Sequence, residues 1–121
     1  MARILLAEDD DSMRGFLAGA LERAGHEVVS CADGDEGLDA LRSTPTDFDL
    51  LLTDIVMPGV DGIELARKAA ENDKKLKIMF ITGFAAVALN PGHQAPKDAK
   101  VLSKPFHLRE LVAEVERVMA A

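Results

Sequence analysis

The chain has 121 residues, of which 48% are hydrophobic, 29% charged and 4% aromatic, with neither Trp nor Tyr and a formal net charge of −7. That length fits one domain, and the composition is that of a globular chain, not a disordered or fibrous one. Scarce aromatics argue against base stacking, and the acidic balance argues against a nucleic-acid partner held by charge.

The charge is unevenly spread. Residues 1–73 hold 17 acids against 6 bases, whereas residues 74–121 hold 4 acids against 8 bases, so the two halves are expected to do different jobs. The single cysteine, Cys31, excludes an internal disulfide or a cysteine metal cage and fits a reducing compartment. No apolar run approaches membrane-spanning length and the start lacks a signal-peptide layout, so the expectation is a cytoplasmic protein without membrane contact.

In chain order, residues 4–7 form a short continuous apolar run, the pattern of a parallel strand covered on both faces. Asp11 or Ser12 can cap a following helix whose apolar positions are Met13, Phe16, Leu17, Ala20 and Leu21, and Gly25 ends it. Residues 28–31 read as a second strand, and Asp33 and Gly34 open a helix containing Leu38 and Leu41. Residues 48–53 are a third strand, followed by a helix opened by Asp61 and Gly62 with Ile63, Leu65, Ala66 and Ala69. Residues 78–82 are a fourth strand. The helix expected near residues 85–94 is interrupted by Asn90, Pro91 and Gly92 and is predicted to be short or irregular. Residues 100–103 are a weaker fifth strand, and a last helix from about His107 carries Leu108, Leu111, Val112, Val115 and Val118 on one stripe.

Alternation of strand and helix implies an α/β fold with a doubly wound parallel sheet and helices on both faces. Ligand sites in such sheets lie beyond the carboxyl ends of the strands. Glu8, Asp9 and Asp10 follow the first strand, Asp54 the third, Thr82 ends the fourth, and Lys104 follows the fifth. Several carboxylates on one edge repel one another unless a cation joins them, and a hard ion that keeps its waters, such as Mg²⁺, suits them. An ionised Asp54 is a competent nucleophile toward a phosphoryl group, for which a lysine and a hydroxyl are natural partners. The plainer alternative for each acid is a helix cap. His26, His93 and His107 show no ligand spacing and read as surface residues, and Cys31 reads as a core thiol.

Glu8-Asp9, the run LLLTDIVMPGVDG at 50–62, Ile81-Thr82-Gly83 and Ser103-Lys104-Pro105-Phe106 resemble, in order and spacing, the receiver domain of two-component response regulators. The resemblance covers residues 1–121 as a single receiver domain. It implies a five-stranded sheet of order 2-1-3-4-5, as in flavodoxin and CheY. It implies Asp54 as the 4-aspartylphosphate acceptor, and Mg²⁺ on Asp9, Asp54 and the backbone carbonyl of Val56. Glu8 stands where the family usually has Asp and would reach the metal through water or in a shifted pose. Thr82 would bind the phosphoryl group and switch rotamer, Lys104 would pair with a phosphoryl oxygen, and the Lys104–Pro105 bond would be cis.

Two departures bear on output. The position three before Lys104, usually aromatic, is Val101; Phe84 is a candidate replacement, with plain packing the alternative. The Pro-interrupted fourth helix lies on the family's usual output face. Residues 81–89 and 101–111 and the terminal Ala120-Ala121 further resemble the CpdR family of single-domain receivers. That resemblance implies phosphorylation through a histidine kinase or histidine phosphotransfer protein. It also implies engagement of ClpX and the ClpXP protease by the unphosphorylated form. The apolar run around residues 84–89 is by its own composition the expected contact, with packing under the segment at residues 91–96 the alternative. Other readings are a receiver with another protein target, a binding module that never accepts phosphate, or an aspartyl phosphatase. The phosphatase needs an acid two residues after the nucleophile, where this chain has Val56.

Overall fold

The computed structural model describes residues 1–43, 47–83, 96 and 98–121. Within them the order is β1 (Arg3–Ala7), α1 (Asp11–Arg23), β2 (Glu27–Cys31), α2 (Gly34–Ser43), β3 (Leu50–Asp54), α3 (Gly62–Asn72), β4 (Lys77–Thr82), β5 (Lys100–Ser103) and α4 (Leu108–Ala120). The short or irregular helix expected near residues 85–94, together with Phe84 and the apolar run after it, lies outside the described residues.

All pairings are parallel, and the sheet order is β2-β1-β3-β4-β5, as expected. Successive residues of a strand face opposite sides, so each apolar run is shared between two cores. Leu5, Ala7, Leu51, Ile78 and Phe80 pack with Leu38 and Leu41 of α2 and Leu65, Ala66 and Ala69 of α3. Ile4, Leu6, Leu50, Leu52, Met79 and Ile81 pack with Leu17 and Leu21 of α1 and Leu111, Val115 and Val118 of α4. Burial on both faces accounts for the absence of alternation in the sequence; each fully buried Leu contributes about 2 kcal/mol. Val101 packs as a partly buried residue against the first of these cores.

Four local expectations are corrected. The cap of α1 is Asp10, whose Oδ1 accepts the Met13 amide at 2.8 Å; Asp11 and Ser12 are already helical. Phe16 is 63% exposed, outside the buried stripe of α1. The third strand starts at Leu50, although Phe48 is buried just before it. His26 is buried, not a surface residue: its Nδ1 accepts the Ala2 amide at 3.0 Å and its Nε2 lies 3.1 Å from Glu116 Oε1. Other signals hold. Asp33 and Asp61 cap α2 and α3 through the amides of Glu36 and Glu64, Gly25 takes φ +98° beyond α1, and His107 precedes α4. His107 is exposed, as expected of a surface histidine.

Candidate functional site

The parallel sheet brings the carboxyl ends of β1, β3, β4 and β5 to one edge. Glu8 leaves β1 with its side chain buried, an expensive position for a carboxylate. Its Oε2 accepts the Asp10 amide at 3.2 Å, and its backbone carbonyl accepts Arg14 Nη1 at 2.8 Å. Asp9 is exposed beside it. Asp54 ends β3, is buried, and its Oδ1 accepts the amide of Ile55 at 2.7 Å. A carboxylate oxygen from each of Glu8, Asp9 and Asp54 lies within 4.8 Å of the others. Asp10 is not in this group, because it is spent on the helix cap.

Lys104 reaches the same point from beyond β5. Its amide donates to the Thr82 carbonyl at 2.8 Å, extending the strand pairing, and the Lys104–Pro105 bond is cis. Its ammonium lies 2.9 Å from Asp54 Oδ2 and 3.5 Å from Glu8 Oε1. Thr82, the last residue of β4, is fully buried.

The turn after β3 is folded back tightly. The Gly62 amide donates to the Ile55 carbonyl at 2.8 Å, and a Cβ at Gly62 would lie 1.9 Å from the Asp54 carbonyl oxygen. A Cβ at Gly34, at the start of α2, would lie 1.8 Å from the Val60 carbonyl oxygen. Gly59 in the same turn has φ +74°, a conformation that suits glycine. These contacts fix the segment that carries Val56, whose side chain is 57% exposed.

The electrostatics follow from crowding. Burial pushes the Glu8 carboxyl above its usual range, and the charge of Asp54 adds to the rise, against the opposing Asp10 amide and Lys104. Burial alone would lower Lys104, but its hydrogen bond and charge contact with Asp54, with Glu8 behind, outweigh that and hold it above the ordinary lysine value. Three carboxylates thus face one ammonium, leaving an excess of negative charge. The donors are all hard oxygens, so the residues fit a small divalent cation that retains waters. An oxygen of Asp54 belongs to this cluster, where an electrophile held by the cation and by Lys104 would meet it.

The sequence-predicted residues Glu8, Asp9, Asp54 and Lys104 do come together, and Thr82 adjoins them through its backbone carbonyl, which accepts the Lys104 amide. Arg14 and the Ile55 amide were not foreseen. Arg14 carries a weak sequence signal, as a cation in the first turns of the helix that follows three acids.

The profile of the response regulator receiver domain matches residues 4–116. The response regulator receiver protein CpdR of Brucella abortus (strain 2308) is 64% identical over 121 residues, covering 100% of this chain and 99% of that one. Among solved structures, a response regulator receiver protein from Sinorhizobium medicae WSM419 superposes with TM-score 0.89 at 30% identity, covering 99% of this chain and 95% of the other. The response regulator protein TrrA of Thermotoga maritima, in complex with Mg²⁺ and BeF, superposes with TM-score 0.81 at 30% identity, covering 98% and 99%.

Proposed function

Because the chain belongs to the response regulator receiver domain family, we propose that this molecule is a phospho-accepting switch in which Asp54 takes a phosphoryl group from a histidine kinase or histidine phosphotransfer protein. The observation that carries this reading is the pairing of Lys104 with Asp54, at 2.9 Å, inside a cluster of three carboxylates at the carboxyl edge of the sheet. Residues 1–121 form one receiver domain under this reading.

Asp9, Asp54 and the backbone carbonyl of Val56 are the groups to hold Mg²⁺, with Glu8 reaching it directly or through water. The TrrA relative was solved with Mg²⁺ and BeF. When bound, the ion supplies positive charge to the phosphoryl oxygens and offsets the repulsion between the acids. The chain's own residues do the rest. An Asp54 oxygen forms the new O–P bond, the donor's P–N or P–O bond breaks, and the leaving group departs with the bonding pair and takes up a proton. Lys104 moves from the carboxylate to a phosphoryl oxygen, and the Thr82 hydroxyl donates to another. The protein assists only its own phosphorylation and dephosphorylation. Beside Lys104, exposed Phe16 with Met13, Pro105, Phe106 and Leu108 lines an apolar groove of about 460 Å³, which supports docking of the phosphodonor there.

The output proposed is control of regulated proteolysis in the cytoplasm: the unphosphorylated form engages ClpX and the ClpXP protease, and phosphorylation ends that engagement. The 64% identity to a protein named CpdR supports this. The test is phosphorylation by a small acyl-phosphate donor with Mg²⁺, followed by ClpX binding. One base-labile phosphoryl group on the wild type, none on Asp54→Asn, and none on Asp9→Ala with its fold intact are expected. Tight ClpX binding by Asp54→Ala and weak binding by the phosphorylated wild type are the matching output results. A base-stable adduct overturns the acceptor, and equal ClpX binding by both forms overturns the output.

A further inference from the structure

The cationic bias of residues 74–121 is not used by the acidic site. The structure gathers much of it at the opposite, amino edge of the sheet. There the loop after α3, the starts of β4 and β5 and the end of α4 border an open hollow of about 630 Å³ lined by Lys74, Lys75, Lys77 and Lys100. The sole acidic side chain lining it, among the described residues, is Asp98. Lys77 is committed to the Ala121 carbonyl oxygen at 3.0 Å. The side chains of Lys74, Lys75 and Lys100 have no ion pair or hydrogen bond among the described residues. Apart from Ala121, whose oxygen Lys77 holds, the remaining wall is apolar: Ala70, Leu76, Ile78, Pro96, Ala99 and Val118.

Three ammonium groups that have no partner among the described residues thus stand around a largely apolar floor. The volume falls within the usual range of small-molecule sites, about 300–1,000 Å³. Flexible lysine arms suit a compact, multiply charged oxyanion, while the apolar part of the lining suits an uncharged ring. We infer that this hollow is a binding site for a nucleotide carrying two or more phosphates, with Lys74, Lys75 and Lys100 on the phosphates and the apolar wall against the base. The site is separate from the acidic edge: Lys77 and Thr82 terminate the same strand, about 17 Å apart at strand rise.

The inference does not depend on the proposed phosphotransfer, and its test avoids the acidic edge. Calorimetric titration of the full chain with ATP and with GTP is carried out in excess chelator, so that no divalent ion can bridge a phosphate to Asp9 or Asp54. Saturable binding of at least one nucleotide is expected, about tenfold or more weaker in Lys74→Glu/Lys100→Glu, since each lost charged hydrogen bond is worth over 1 kcal/mol. Asp54→Ala should bind as the wild type does. Circular dichroism and thermal melting verify that the double variant is folded, and Leu76→Asp/Ala99→Asp gives an independent reading from the apolar wall. Inorganic pyrophosphate should bind about fivefold or more weakly than the nucleotide, because it leaves the apolar wall uncovered. No binding, pyrophosphate equal to the nucleotide, loss in Asp54→Ala, or equal binding of polyglutamate each overturns the inference.

Discussion

Lys104 Nζ sits 2.9 Å from Asp54 Oδ2, so the ammonium rests on the carboxylate proposed as the phosphoryl acceptor. With Oδ1 taken by the Ile55 amide, both oxygens of Asp54 are engaged. Under the proposed phosphotransfer the lysine must let go of one oxygen as the phosphoryl group arrives. Until then it competes with any cation drawn to Glu8, Asp9 and Asp54.

Lys104→Ala separates the two tasks. Removing a positive charge beside three acids should tighten Mg²⁺ binding by roughly three- to tenfold, as expected of a nearby charge at intermediate dielectric. The rate of phosphorylation should fall, because a phosphoryl oxygen loses its counter-charge. Thermal shift against Mg²⁺ concentration reads the first and acyl-phosphate formation the second. Weaker Mg²⁺ binding in this variant would mean that Lys104 positions the acids instead of opposing the ion.

Gly34 and Gly15 offer a matched pair. A methyl at Gly34 meets the Val60 carbonyl, so Gly34→Ala must displace the turn that carries Val56, at a cost of about 2 kcal/mol or more. Gly15 lies within α1 with nothing near its missing Cβ, so Gly15→Ala should stabilise by about 0.5–1 kcal/mol. Urea unfolding measures both. The Gly34 variant should also bind Mg²⁺ more weakly, and the Gly15 variant should not.

His26 ties the first residues of the chain to α4. Its Nδ1 accepts from Ala2, which leaves the ring proton on Nε2 to donate to Glu116. His26→Phe keeps an aromatic ring, though a larger one, and orphans the Ala2 amide, so a loss of at least about 1–3 kcal/mol is expected. Glu116→Gln retains an acceptor at a half-exposed position and should change stability by less than about 0.5 kcal/mol. Equal effects in denaturant unfolding would deny the buried amide its weight.

Cys31 gives the pH dependence. Burial, with the charges of Glu36 and Asp33 behind it, pushes the thiol from 9.0 up to about 11. The folded state therefore favours the neutral thiol. That stability is whole below pH 9 and is lost as pH rises through 11, amounting to roughly 2–3 kcal/mol. At pH 8, Cys31→Ala should be less stable than the wild type by about 1 kcal/mol through lost packing. Above pH 10.5 the order should reverse. Stability curves that stay parallel from pH 8 to 11 would show that the thiol does not titrate across the transition.

The fold was readable because its strands are buried on both faces: residues 4–7 and 50–53 could hardly be anything else once helical patterns separated them. The rule that sites lie past the strand ends then located Glu8, Asp9, Asp54, Thr82 and Lys104 without side-chain detail. The division of labour among Asp9, Asp10 and Asp11 was not readable. It depends on where β1 stops and how far the chain travels before α1 begins, and a shift of one residue exchanges a member of the acidic cluster for a helix cap. The burial of His26 escaped as well, because its partners Ala2 and Glu116 are distant in sequence. Phe16 matched the helical period and still faces out, since α1 shows its buried stripe through Leu17, Ala20 and Leu21.

The acids at one edge of the sheet and the lysines at the other make the molecule an electric dipole aligned with its strands. A partner of either sign feels a torque before it makes contact, within about 8–10 Å at physiological salt. A cationic surface is met by the Asp54 edge first, and an anionic one by the Lys74 and Lys100 edge. Orientation during encounter is thus partly decided before any side chain touches, and association rates with charged partners should fall as ionic strength rises.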